Sequence, residues 1–173
     1  LKWDGYRLAV HIEPGRVRIL TRGGHDWTHR FPGIEEEARR FSPSTMILDG
    51  EAVMFNARGI PDFGMLQNSL GGRRGKLPSR DSVLVAFDLL YLDGHDLTRM
   101  EHSARRRLLE DVLAEKTAAI RLSEEFDEDP DELLRHACVH ELEGIIAKHR
   151  DRPYRSGRTG DWLKIKCVQR DTF

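Results

Sequence analysis

Only six of the 28 basic residues in this chain are lysines, at positions 2, 76, 116, 148, 164 and 166; the rest are arginines. The two cations differ in chemistry. An ammonium can lose its proton and attack an electrophile, whereas a guanidinium stays charged at any accessible pH. Four of the six lysines, Lys2, Lys148, Lys164 and Lys166, lie near the chain ends in short polar clusters. The first cluster is Lys2-Trp3-Asp4-Gly5-Tyr6-Arg7, and in a strand its Lys2 and Asp4 would share a face. A second reads Glu143-Gly144-Ile145-Ile146-Ala147-Lys148, and a third is Trp162-Leu163-Lys164-Ile165-Lys166, where two lysines two apart would share a strand face. Between them stand Thr21-Arg22-Gly23-Gly24, Leu48-Asp49-Gly50-Glu51 and Phe87-Asp88-Leu89-Leu90-Tyr91-Leu92-Asp93-Gly94. Each permits a plain structural reading as well as a chemical one. Lys2 beside Asp4 is also what an exposed ion pair looks like, worth well under ~1 kcal/mol. Phe87 in an apolar strand is also what core packing looks like, and Glu51 and Glu143 could be satisfied polar groups on sheet faces.

The elements that must carry these clusters follow from periodicity. Leu1 to Ile12 reads as a strand, Glu13-Pro14-Gly15 as a turn and Arg16 to Thr21 as the returning strand of a hairpin. Ile34, Ala38 and Phe41 stand at helical spacing, so Pro32 to Phe41 is expected to be a short amphipathic helix. Met46 to Phe55 is rich in strand formers, and Asp62 to Leu70 reads as a helix stopped by Gly71-Gly72. Val83 to Leu92 is apolar except for Asp88, as in a strand buried on both faces. Ser103 to Ala114 reads as a helix with Leu108, Leu109, Val112 and Leu113 inward. Asp129-Pro130-Asp131-Glu132 supplies a cap, a Pro at the first helical position and an acid, opening a helix to about Leu142. Gly144 to His149 and Trp162 to Lys166 are the last strands. The expectation is one α+β domain over residues 1–173, with largely antiparallel sheets flanked by helices.

Composition narrows the function classes. At 39% hydrophobic and 33% charged residues, the chain is neither a disordered tail nor a fibre. No apolar run approaches the roughly 18–20 residues of a membrane span, so no membrane is expected as a partner. Cys138 and Cys167 form no CxxC pattern, and a reducing cytoplasm is the natural compartment. The net charge of −1 conceals clustering. Eight cations against Asp151 and Asp161 lie between Lys148 and Arg170, and Arg73, Arg74, Lys76 and Arg80 form another basic stretch. Glu124 to Glu132 is acidic. Concentrated basic patches suit a nucleotide or nucleic acid, or are simply solvated surface. Asp62-Phe63-Gly64 and His149-Arg150-Asp151 have the letters of kinase signatures but the reverse order, and Gly75-Lys76 lacks the rest of a P-loop. The eight histidines show no metal-ligand spacing.

Taken in order, the six polar clusters resemble motifs I, Ia, III, IIIa, IV and V of the covalent nucleotidyltransferases, the superfamily of DNA ligases, RNA ligases and mRNA capping enzymes. One such motif arises by chance; six in order across almost the whole chain do not. The forms FDLLYLDG, EGIIAK and PYRSGRTGDWLKIK look most like ATP-dependent DNA ligases, and within them the ligase domain of the bacterial end-joining enzyme, ligase D. The resemblance implies an ATP-grasp-like adenylation fold. It also implies that Lys2 is the nucleophile, attacking the α-phosphate of ATP to form lysyl-AMP. Lys2 would have to react as a neutral amine, so its pKa would fall by roughly 2–3 units from about 10.4. Lys164, Lys166 and Mg²⁺ (or Mn²⁺) are the implied sources of that shift and of charge neutralisation on the phosphate.

By the same resemblance Asp4 orients Lys2 or the nucleotide, Arg7 and Arg22 contact the ribose and phosphate side, and Phe87 stacks on adenine. Glu51 holds a ribose hydroxyl or the metal, Glu143 helps bind Mg²⁺, and Arg158 touches the phosphates. Lys148 joins this set, although strict alternation puts it on the opposite face from Glu143. Trp3 and Trp162 are expected to pack. The implied partners are nicked or broken double-stranded DNA, a C-terminal OB-fold domain and end-joining factors. The family usually has an acidic residue two before the nucleophile, where Leu1 stands here, and its sixth motif lies in the OB-fold. The chain is therefore expected to be N-terminally clipped and without that domain, able to self-adenylylate slowly but not to complete strand sealing. Two rivals share these residues: an RNA ligase or GTP-using capping enzyme, and a DNA-binding remnant without turnover.

Overall fold

The structure is a computed structural model that describes residues 3–41, 43–72, 75–115 and 118–124, together with the backbone of strands 144–148 and 162–166. A single mixed sheet organises the first 124 residues. Strands β1 (Tyr6–Glu13) and β2 (Arg16–Thr21) form the expected hairpin, closed by Pro14-Gly15 with Gly15 at φ 74°. In β1 the alternation is strict: Leu8, Val10 and Ile12 are buried, while Arg7, Ala9 and His11 are half-buried on the other face. One face therefore belongs to the core and the other can carry chemistry.

The first strand begins at Tyr6, not at Leu1. Residues Trp3 to Gly5 bend, because the backbone of Gly5 runs against Ala52, in the strand that pairs with β1 on its other side. A Cβ at Gly5 would stand 1.9 Å from the carbonyl oxygen of Ala52, so only glycine permits this approach. Strand alternation therefore does not place Lys2 and Asp4 on one face. Lys2 itself lies outside the described residues.

Helix α1 (Pro32–Arg39) has Pro32 in its first turn and buries Ile34 and Ala38, the expected apolar stripe. Strand β3 (Met46–Val53) pairs antiparallel with β1, and β4 (Val83–Leu92) pairs antiparallel with β3. Between β3 and β4 lies α2 (Phe63–Ser69), capped by Asp62, whose Oδ1 accepts the Met65 N–H at 3.0 Å. Asp62-Phe63-Gly64 is thus a helix start. Gly71 and Gly72, both at positive φ, terminate the chain's helical path.

The bounds of β4 are those expected, and it is buried from Val83 through Leu89. After it, Asp93 and Gly94 both adopt positive φ and make a two-residue turn into β5 (His95–Asp96). Helix α3 (His102–Val112) then crosses over to β6 (Ile120–Leu122), which pairs parallel with β4. The strand order is β2-β1-β3-β4-β5, with β6 alongside β4. In α3, Leu109 and the following Leu113 are buried, with Leu108 and Val112 packed against the core. Arg105 and Arg106 are buried with them, which apolar periodicity does not predict.

The backbone of β7 (Gly144–Lys148) pairs antiparallel with β8 (Trp162–Lys166), the last two strands expected. The helix expected from Asp129 to about Leu142 lies outside the described residues.

Candidate functional site

The face of the sheet turned away from the Leu8–Val10–Ile12 core carries the polar clusters of β1, β3 and β4. Register brings them together at one end. Arg7 of β1 lies opposite Glu51 of β3, and Ala9 lies opposite Asp49. Arg7 donates from Nε to Asp49 Oδ1 at 3.2 Å and from Nη2 to Oδ2 at 2.7 Å. A two-pronged Arg–carboxylate pair fixes the plane of the guanidinium as well as its position. Asp49 is 5% exposed and the Arg7 side chain 25%, so the cation remains at the surface of this face while its anchor is buried. The Arg7 guanidinium lies over the ring of Phe87, 5.4 Å from the centroid.

Phe87 reaches that position through a break in register. Asp88 pairs with Asp49 while Ala86 pairs with Gly50, so Phe87 falls at the register shift between the two pairs. A bulge of this kind re-aims a side chain and strengthens local twist. Phe87 is buried, with Arg7 on one side of its ring. Packing and recognition are therefore not exclusive at this position.

Glu51 is half-buried directly across from Arg7, on the same face as Asp49. Asp4 is half-buried in the bend that leads into β1. Arg22 is exposed one residue beyond the end of β2, whose last residue Thr21 lies opposite Leu8, so it stands at the same sheet end as Arg7. A turn closed by the Gly24 N–H on the Thr21 carbonyl, with Gly24 at φ 82°, carries it. Trp3 packs edge-on against Phe55, ring centroids 6.1 Å apart, and anchors the segment that follows Lys2 near the end of β3. That contact agrees with a packing role for Trp3.

Glu143 and Arg158 lie outside the described residues, as do Arg73 and Arg74. Lys148, Lys164 and Lys166 fall in β7 and β8, where Ile146 pairs with Lys164, Gly144 with Lys166 and Lys148 with Trp162. All three lysines occupy positions of one parity in that ladder. Lys76 and Arg80 are exposed in the segment after α2. That segment is tied back by Arg30, whose Nη2 donates to the carbonyls of Leu70 (3.2 Å) and Gly75 (2.9 Å).

Asp49, which holds Arg7, is the residue at this sheet end that motif reading passes over. It sits inside the Leu48-Asp49-Gly50-Glu51 cluster, yet only Glu51 attracts a role there. An acid two residues from another on a strand shares its face, which was the available signal. Among the described residues no group of three or more His, Cys, Asp and Glu side chains is arranged to hold a metal. Glu51 and Asp49 are both carboxylates at this end of the face, and Asp49 is engaged by Arg7. One such carboxylate fits Mg²⁺, which typically takes one or two together with water and phosphate oxygens.

Comparison with known proteins supplies the family. The model of the ATP dependent DNA ligase domain matches residues 1–166. The multifunctional non-homologous end joining protein LigD of Pseudomonas aeruginosa is 43% identical over 174 residues, covering all of this chain and 20% of that protein. The LigD DNA repair protein of Mycobacterium tuberculosis is 39% identical over 168 residues, covering 95% of this chain and 21% of its own length. The chain thus spans about a fifth of these relatives. Among solved structures, a mycobacterial DNA ligase D complexed with ATP and MES superposes with a TM-score of 0.82 at 37% identity, over 95% of this chain and 52% of that one. The α+β architecture is accordingly the nucleotidyltransferase fold of ligases, and the chain belongs to the ATP-dependent DNA ligase domain family.

Proposed function

We propose that this chain is the adenylation domain of a DNA ligase that serves end joining. In this reading Lys2 takes AMP from ATP and the domain passes it to DNA. The observation that carries the reading is the cluster of Arg7, Asp49, Glu51 and Phe87 at one end of the sheet. That end is also where Trp3 to Gly5, the segment following Lys2, is pinned against β3 and Phe55.

The chemistry proceeds in three balanced steps. The neutral Lys2 amine attacks the α-phosphorus of ATP; an N–P bond forms, the bond to the pyrophosphate oxygen breaks, and the amine proton is released. A DNA 5′-phosphate oxygen then attacks the same phosphorus, forming a P–O–P linkage and returning the amine. Last, the DNA 3′-hydroxyl attacks the 5′-phosphate, a phosphodiester forms and AMP leaves. Arg7, held rigid by Asp49, offers a fixed positive charge to phosphate oxygens. Phe87 supplies an apolar surface for adenine. Asp4 orients the Lys2 segment, and Arg22 at the same sheet end adds a second cation. Glu51 holds a ribose hydroxyl or, with Glu143, Mg²⁺, which supplies charge neutralisation at the phosphates. Lys148, Lys164, Lys166 and Arg158 complete the phosphate side.

The wider assignments belong to the same proposal: nicked or broken duplex DNA as substrate, a C-terminal OB-fold domain and end-joining factors as partners, and the cytoplasm as compartment. The relatives named for end joining support them. Incubation with α-labelled ATP and Mg²⁺, followed by denaturing electrophoresis, is the test. An acid-labile AMP label is expected on the wild type, absent from Lys2→Ala, with GTP failing to substitute. Labelling by GTP would favour a capping-type enzyme. Salt-sensitive DNA binding without any label, in the full-length protein, would favour a remnant that only binds.

A further inference from the structure

Phe87 sits in the register shift of the β3–β4 ladder, where Asp88 pairs with Asp49 and Ala86 with Gly50, so the backbone on either side of it sets how its ring is presented. Both of its chain neighbours are held from the side of α3. Asp88 accepts Arg105 Nε at 2.9 Å and Nη2 at 3.1 Å, and the two side chains are 1% and 0% exposed. Arg105 Nη1 also donates to the Met100 carbonyl at 2.6 Å. On the other side, the Ala86 carbonyl accepts the Ser123 N–H at 2.8 Å. Ser123 in turn is gripped by Arg106, which donates to its Oγ at 2.9 Å and to its carbonyl. Two consecutive arginines of one helix thus hold the residues on either side of the bulge.

Stability alone does not account for this arrangement. A buried Arg–Asp pair loses much of its attraction to desolvation, and an apolar pair of similar volume commonly serves as well or better. What guanidinium forks provide is fixed geometry. We infer that Arg105 and Arg106 are positioning residues for nucleotide binding: they brace the β4 bulge so that Phe87 faces Arg7. The inference rests on the proposed role of Phe87 against adenine and assigns the control of that role to α3.

A double-mutant cycle tests it. In the full-length protein, Arg105→Lys, Arg106→Lys and Ser123→Ala are each made alone and in a Phe87→Leu background. The readouts are the thermal transition and the ATP concentration that half-saturates AMP labelling. Phe87→Leu is expected to raise that concentration up to about tenfold, the scale of a lost aromatic contact. Each brace variant is expected to raise it several-fold alone and to add nothing once Phe87 is Leu. Ser123→Ala removes one acceptor and keeps the backbone, so it carries the test if a lysine variant does not fold. Equal factors in both backgrounds, or a lowered melting temperature with unchanged half-saturation, would overturn the brace. If Phe87→Leu itself leaves half-saturation unchanged, the reading of Phe87 falls first, and the two failures are distinguishable.

Discussion

Asp49 and Asp88 lie directly opposite each other on adjacent strands, and each is gripped by one arginine through two hydrogen bonds. Like charges so placed repel, and each arginine cancels that repulsion. The two pairs face opposite fates in every other respect. Arg7 comes from the neighbouring strand and stays partly exposed over Phe87; Arg105 comes from a helix and is sealed at 0% exposure. The same fork-to-carboxylate chemistry thus serves a surface that can meet a ligand in one place and an internal strut in the other. Solvent access, more than the contact itself, separates the two roles.

The difference is largest in what loss of one partner costs. Asp88→Ala leaves the buried Arg105 guanidinium without its carboxylate, and is expected to destabilise the fold by about 3–5 kcal/mol. Asp49→Ala leaves Arg7 able to turn toward water, at about 1–3 kcal/mol. Denaturant titration of both variants measures the gap. Equal costs would mean that burial does not distinguish the pairs.

Gly50 stands where the two regions meet, paired with Ala86 beside the bulge. A Cβ there would come within 2.6 Å of the Val85 carbonyl oxygen and 3.0 Å of Ala86 Cα, both backbone atoms with little room to yield. Gly50→Ala is expected to cost about 1–3 kcal/mol by forcing β3 and β4 apart. Because the displacement falls next to Phe87, AMP labelling at low ATP should fall further than at saturating ATP. A uniform loss at all ATP concentrations would show that the bulge geometry is irrelevant to binding.

Much of this was readable beforehand, and the exceptions have physical causes. The bounds of β4 and β8 follow from apolar runs and alternation, and Arg7, Glu51 and Phe87 were marked by their motifs. The partners were not. That Arg7 meets Asp49 depends on the β1–β3 register, and that Asp88 meets Arg105 depends on the crossover of α3; neither is local. The lone charge in an otherwise apolar strand did announce that a buried partner was needed, and the arginine-rich helix that follows was the place to seek it. Strand β1 starts later than its sequence pattern implies, because alternation cannot show that Gly5 must abut Ala52. Strand β6, three residues long, is defined only by its pairing with β4. The Asp93-Gly94 turn into β5 is legible in the sequence as a two-residue hairpin signal.

Arg7→Lys probes the exposed pair more gently. An ammonium keeps the charge but cannot span both oxygens of Asp49, so about 1 kcal/mol of stability should go. The larger consequence is expected in labelling, because a mobile charge no longer presents a fixed direction to phosphate. A kcat for AMP transfer that equals wild type would show that charge alone suffices at this position.

The smallest effect concerns His11, two strand positions beyond Ala9 on the same face and paired with Arg18 of β2. Burial, and then the charge of Arg18, hold its imidazole below the ordinary 6.5, with Glu13 opposing. The unfolded chain therefore takes up a proton near pH 6.5 while the folded one does so only at lower pH. Stability contributed by neutral His11 is complete above the unfolded pKa and declines as pH falls through the window below it. His11→Asn removes this titration and keeps a polar side chain. Its melting temperature should fall less steeply than that of the wild type between about pH 7 and about pH 5. The Arg7–Asp49 and Asp88–Arg105 pairs are the same in both proteins, so they cancel in the difference. Parallel slopes would show that the Arg18 side of this face contributes no coupling to protons, and would confine its electrostatic work to the Arg7 end.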